Sequence, residues 1–125
     1  MPIDATLPYD PANIFARILR GEIPATRVYE DEWAIAFPDI APQAPTHILV
    51  IPRGAYVSWD DFSARASADE IAGFVRAVGT VARAAGLVEP GYRLLANTGL
   101  HAGQEVPHLH VHLFAGAALG PMLAR

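Results

Sequence analysis

Apolar and polar positions change period several times along the chain, and each change marks an element. Asn13 can cap a short helix whose apolar stripe is Ile14, Phe15, Ile18 and Leu19 and whose stop is Gly21. Residues 1–12 before it carry no clear periodicity and read as a loose lead-in. Ile23-Pro24 leaves the helix, because the residue before proline disfavours helical backbone. Arg27–Glu30 and Trp33–Phe37 read as two strands of a hairpin turning at Asp31-Glu32, and the proline-rich run 38–45 reads as a connector of fixed shape. Thr46–Ile51 is a third strand ended by Pro52. In the connection 53–66, Tyr56, Trp59 and Phe62 are expected to cover a core edge. Ser67 and Glu70 then fit a capping box, and Ile71, Phe74, Val75, Val78, Val81, Ala82 and Ala85 recur at helical spacing until Gly86. Tyr92–Ala96 is a fourth strand and residues 107–114 a fifth. The order α-β-β-β-α-β-β predicts an α+β domain: a largely antiparallel five-stranded sheet with one long and one short helix.

The fifth strand carries the strongest chemical signal. His108, His110 and His112 alternate with Leu109, Val111 and Leu113. A period of two puts the imidazoles on one face and the aliphatic side chains on the other. Two plainer readings compete with catalysis. One of the three histidines can be a hydrogen-bonded structural group, and a zinc site is the second possibility. The outer pair, however, lies roughly 13 Å apart at Cα in an extended strand, which makes convergence of all three on one ion difficult. Neither a cysteine nor a carboxylate sits within the stretch. Catalysis is therefore preferred, with no metal and no cofactor.

Composition narrows the setting. At 125 residues, 52% of them hydrophobic, the chain is one domain with a real core and not a disordered polypeptide. The formal net charge of −4 and the dispersed basic residues argue against a nucleic-acid surface. No apolar run approaches the ~20 residues that span a bilayer, and no signal peptide is apparent. With no cysteine there is no disulfide framework, so a cytoplasmic domain that binds neither membrane nor nucleic acid is expected.

Between strands four and five lies Asn97-Thr98-Gly99-Leu100-His101-Ala102-Gly103-Gln104-Glu105-Val106. Its glycines allow close backbone approach to a ligand, and successive amides in such a loop can cradle an anion. The Lys-Ser/Thr pair of a Walker loop is missing. Alone the loop is weak evidence; directly before the histidines it is a candidate phosphate cradle.

Pro107–Leu113 preceded by Gly103-Gln104 resembles the signature of the histidine-triad (HIT) nucleotide-binding family. The run Asn13–Pro24, together with Phe37-Pro38-Asp39-Ile40, Pro42, Ala44-Pro45, His47 and Leu49–Pro52, is similar to the Hint nucleoside phosphoramidase branch. The resemblance covers roughly residues 13–116, taken as the domain, with 117–125 as a C-terminal tail. It implies a homodimer that hydrolyses purine nucleoside 5′-phosphoramidates or acyl-nucleotidates through a nucleotidyl-histidine intermediate. By that resemblance His110 is the nucleophile and His112 assists the leaving group, while His108 and His47 fix tautomer and orientation. Asn97, Gly103, Gln104 and the amides near Glu105 and Val106 hold the phosphate. Asp39 accepts from the ribose hydroxyls, and Ile14, Phe15, Phe37 and Ile40 wall the purine. The alternatives are a dinucleoside polyphosphate hydrolase and a nucleotide-binding interaction protein with little turnover. Glu105 departs from the serine or threonine of many relatives, and Ala115-Gly116-Ala117 replaces a Gly-Gly-Arg common there.

Overall fold

A computed structural model describes residues 1–124; Arg125, the end of the expected tail, lies outside the described residues. The elements run α1 (Ile14–Leu19), β1 (Tyr29–Glu30), β2 (Ala34–Pro38), β3 (Thr46–Pro52), α2 (Trp59–Arg65), α3 (Ala68–Ala84), β4 (Arg93–Leu95) and β5 (Val111–Ala115). The five strands form one antiparallel sheet in the order β1-β2-β3-β5-β4. The expected α+β class and sheet are therefore present.

Local chemistry explains the helix boundaries. Asn13 Oδ1 accepts from the Ala16 amide at 2.9 Å, capping α1. The Ser67 hydroxyl accepts from the Glu70 amide and the Glu70 carboxylate accepts from the Ser67 amide, each at 3.1 Å, so the reciprocal box forms as the sequence predicts. α3 closes at Gly86, whose φ of 71° only glycine adopts without strain.

Strand alternation divides the core into two layers. Ala34, Ala36, Val50, Val111, Leu113 and Ala115 face α3 and pack with Phe74, Val78 and Val81. Ile35, Phe37, Leu49 and Ile51 face the other way and are covered by Phe15 and Ile18 of α1. Trp33 lies against α3 at Gly73, where an added Cβ would come within 2.2 Å of the indole. Between α3 and β4, the outermost strand on that side, runs an apolar groove of about 630 Å³ lined by Trp59, Val75, Val78, Gly79, Tyr92 and Leu94.

Three differences from the sequence reading concern the site. Residues 59–65 are helical (α2), held by a Ser58–Asp61 capping box, so there are three helices and not two. The histidine strand enters the ladder only at Val111, leaving His108 and His110 in the extended run that leads into it. Residues 1–12 are not loose: the Ile3 amide donates to the Gln104 carbonyl at 2.7 Å, and Tyr9 reaches His108.

Candidate active site

Four histidines meet on the α1 face of the sheet. His112 pairs across the ladder with Leu49, and His47 with Phe114. Those registers bring His47 Nε2 to 2.8 Å from His112 Nδ1. Leu109, Val111 and Leu113 are buried in the α3 layer, so the alternation sorts the side chains as the sequence predicts even where the ladder stops. Phe15 of α1 stands edge-on to His110, ring centroids 5.0 Å apart, and edge-on to Phe37 at 5.6 Å.

Hydrogen bonding assigns each proton, because carbonyl oxygens only accept and backbone amides only donate. His110 Nδ1 lies 2.7 Å from the His108 carbonyl, so Nδ1 carries the hydrogen. A neutral ring then leaves Nε2 with a lone pair. That nitrogen has no partner among the described residues, and none of their buried side-chain nitrogen or oxygen atoms is unpaired, so it reaches solvent. The Gln43 amide donates to His47 Nδ1 at 3.1 Å, so a neutral His47 holds its proton on Nε2 and donates to His112 Nδ1. His112 is thereby a donor through Nε2. His108 donates from Nε2 to the Pro52 carbonyl at 2.8 Å and accepts at Nδ1 from the Tyr9 hydroxyl at 2.6 Å.

Burial keeps these rings neutral. It pushes His108 down to about 4, against the weaker upward pull of the Pro52 carbonyl. Burial also pushes His112 down to about 4, helped by the neighbouring His110 and His47. His110 and His47 are lowered for the same leading reason, with Asp39 opposing in both. A neutral imidazole with an exposed lone pair, beside a second imidazole presenting an N–H, suits attack on an electrophile bearing negative oxygens.

The other expected site residues divide. Asp39 Oδ2 lies 3.5 Å from His47 Nε2, while Oδ1 accepts from the Ala41 amide at 2.8 Å, shaping the turn. Asn97 is half-buried, two residues past Leu95, which pairs with His112 at the end of β4. Gly103 takes φ 76° in the loop, Glu105 is exposed, and Val106 packs on the Phe15–Phe37 layer.

Gln104 requires a correction. Its amide is 1% exposed: Oε1 accepts from the Gly99 amide at 3.0 Å, and Nε2 donates to the Val57 and Val106 carbonyls at 2.7 and 3.1 Å. Both side-chain N–H groups are spent on backbone carbonyls, so no donor is left for a phosphate; the side chain pins the loop. Ile14 is 42% and Ile40 97% exposed, so only Phe15 and Phe37 form a packed wall.

Phe114 and Tyr9 were not anticipated. Phe114 stacks on His112 with ring planes 1° apart and centroids at 5.5 Å, and the period-two alternation continued one step would have found it. Asp39, His47 and His112 place three ligand-type atoms within 4.8 Å of one another. In the described structure His47 Nε2 and His112 Nδ1 are committed to each other, so a cation would have to displace that shared proton.

The pattern of the HIT domain matches residues 20–119. The chain belongs to the HIT family. It is 69% identical over 94% of its length to an uncharacterized 13.2 kDa HIT-like protein of Azospirillum brasilense, covering 96% of that protein. It is 47% identical over 90% of its length to the purine nucleoside phosphoramidase of Escherichia coli K12, covering 93% of it. Among solved structures, the HIT family hydrolase of Clostridium thermocellum superposes with a TM-score of 0.82 at 39% identity, over 90% of this chain and 97% of that one. The chain is accordingly a HIT-type hydrolase, with four of its five histidines gathered on one face of the sheet.

Proposed function

We propose that this protein hydrolyses purine nucleoside 5′-phosphoramidates or acyl-nucleotidates in two displacements. One observation carries the reading: His110 is held as a neutral tautomer whose Nδ1–H is spent on the His108 carbonyl, leaving Nε2 free. Nε2 attacks the phosphorus, and its bond forms as the bond to the amine breaks. The amine leaves with a proton taken from solvent, while the His112 Nε2–H donates to the phosphate oxygens and eases the departure. Water then attacks the phosphorus of the nucleotidyl-histidine: the new P–O bond forms as the P–Nε2 bond breaks, the water proton passes out to solvent and balances the one taken up in the first step, and His110 is left neutral. His47 and His108 orient their neighbours. Asn97, Gly103 and the amides of Glu105 and Val106 receive the phosphate oxygens. Asp39 accepts from the ribose, and Phe15 and Phe37 bound the base, with Ile14 and Ile40 closing over it from the exposed side.

The activity test compares adenosine 5′-phosphoramidate bearing a primary amine with a diadenosine polyphosphate. Faster turnover of the amidate, abolished in His110→Ala, supports the reading. Preference for the polyphosphate moves the assignment to a dinucleoside polyphosphate hydrolase. Tight AMP binding with only trace turnover of either makes the chain a binding protein.

A homodimer in the cytoplasm completes the proposal. The groove along α3 exposes Val75 (55%) and Leu94 (47%) beside the unpaired outer side of β4, a surface suited to a second copy. Sedimentation of wild type as a dimer and of Val75→Arg/Leu94→Arg as a monomer is expected; a monomeric wild type removes this part. Among the described residues no helix is long and apolar enough to cross a membrane.

A further inference from the structure

We propose that Tyr9, in the segment before the first helix, is a positioning residue for the nucleophile, acting through His108. The inference rests on the reading of His110 as nucleophile, although its physical core does not.

His108 is fully buried and has two ring nitrogens to satisfy. Nε2 faces the Pro52 carbonyl at 2.8 Å and must carry hydrogen there. Nδ1 is then a lone pair inside the protein, and the Tyr9 hydroxyl at 2.6 Å is its only donor among the described residues. The donor comes from 99 positions away, and the tyrosine ring meets the imidazole edge-on with centroids 5.6 Å apart. Without that hydroxyl the ring can hold the Nε2–H form only by leaving a buried acceptor unpaired. Admitting water, taking up a proton or turning over are its other choices.

The consequence reaches the reacting atom in one step. The carbonyl that accepts from His110 Nδ1 belongs to His108 itself. Fixing the His108 ring between Tyr9 and Pro52 fixes that residue's backbone, and with it the bond that makes Nε2 the free nitrogen of His110. The same N-terminal segment holds the other side of the site through the 2.7 Å bond from the Ile3 amide to the Gln104 carbonyl, at the loop expected to receive phosphate. The segment thus bridges nucleophile strand and loop, and Tyr9 is the side chain in it that hydrogen-bonds to the histidine row.

A purely mechanical tether is the rival explanation, and two substitutions separate them. Tyr9→Phe deletes the hydroxyl and keeps the ring; Ile3→Pro deletes the amide donor and leaves Tyr9 in place. Long-range ¹H–¹⁵N spectra of the ligand-free protein report each histidine's tautomer without any substrate. In wild type, His108 is expected as a single Nε2–H form. In Tyr9→Phe its two nitrogen shifts should move toward an exchanging or protonated pair, whereas Ile3→Pro should leave them in place. On an adenosine phosphoramidate, Tyr9→Phe should lower kcat by about ten- to a hundredfold, because the nucleophile is less well aimed, with KM little changed. Unchanged His108 shifts in Tyr9→Phe would overturn the proposal, as would equal shifts in Ile3→Pro. Should wild type hydrolyse no amidate at all, the activity reading fails while the spectra still decide the role of Tyr9.

Discussion

Acidification should unfold this protein early, and the histidine row sets how steeply. In an unfolded chain a histidine titrates near 6.5. In the folded chain His108 and His112 are pushed down to about 4, burial being the first cause in both. Above pH 6.5 both states hold these rings neutral, and their stabilising contribution is fully present. Below it the unfolded state binds protons that the folded state refuses, so stability falls with pH until the folded rings titrate near 4. One proton per histidine is ~1.4 kcal/mol per pH unit. Two rings, trimmed for the partial exposure of His112, make about 2 kcal/mol per unit between pH 6 and 5. His47 and His110, lowered in the same direction, add to that slope. Because total stability is typically ~5–15 kcal/mol, a few units of acid remove a large share of it. Urea denaturation at pH 7.5, 6.5, 5.5 and 5.0 measures the slope above the range where ordinary carboxylates titrate. A flat profile, or stability rising as pH falls from 6.5 to 5, would refute the neutral, buried histidine row.

Two further substitutions test the scaffold. Gly73→Ala should destabilise by about 1–2 kcal/mol net, because a clash with the Trp33 indole outweighs the ~1 kcal/mol that alanine gains in a helix; thermal melts of that variant, and of one also carrying Trp33→Leu, should show loss and partial recovery. Gln104→Ala should cost about 2–3 kcal/mol by orphaning the buried Gly99 amide and Val57 carbonyl. Gln104→Glu should not rescue it, since a carboxylate there faces the Val57 and Val106 carbonyls; a normal melting temperature in either variant would contradict the pinning role.

What could be read from the chain and what could not follow from how local each cause is. The α3 box needs only Ser67 and Glu70 three positions apart, and sorting the histidines from the aliphatics needs only the pleat. Seven-residue α2 buries only Phe62, too little apolar recurrence to register as a period, and its box closes with Asp61 rather than Glu or Gln. The family likeness pointed to the Gln104 region, yet only the packed structure turns that amide inward onto three backbone groups. Tyr9 left no trace in any local pattern, because its partner lies 99 residues on.

The stereochemical course at phosphorus bears most directly on an imidazole of the protein forming a bond to it. Hydrolysis of a single configuration of adenosine 5′-phosphorothioamidate in ¹⁸O-water gives a chiral thiophosphate whose handedness can be determined. Two successive in-line displacements, first by His110 Nε2 and then by water, predict retention of configuration. Inversion would mean that water attacks directly, and would contradict a nucleophilic His110.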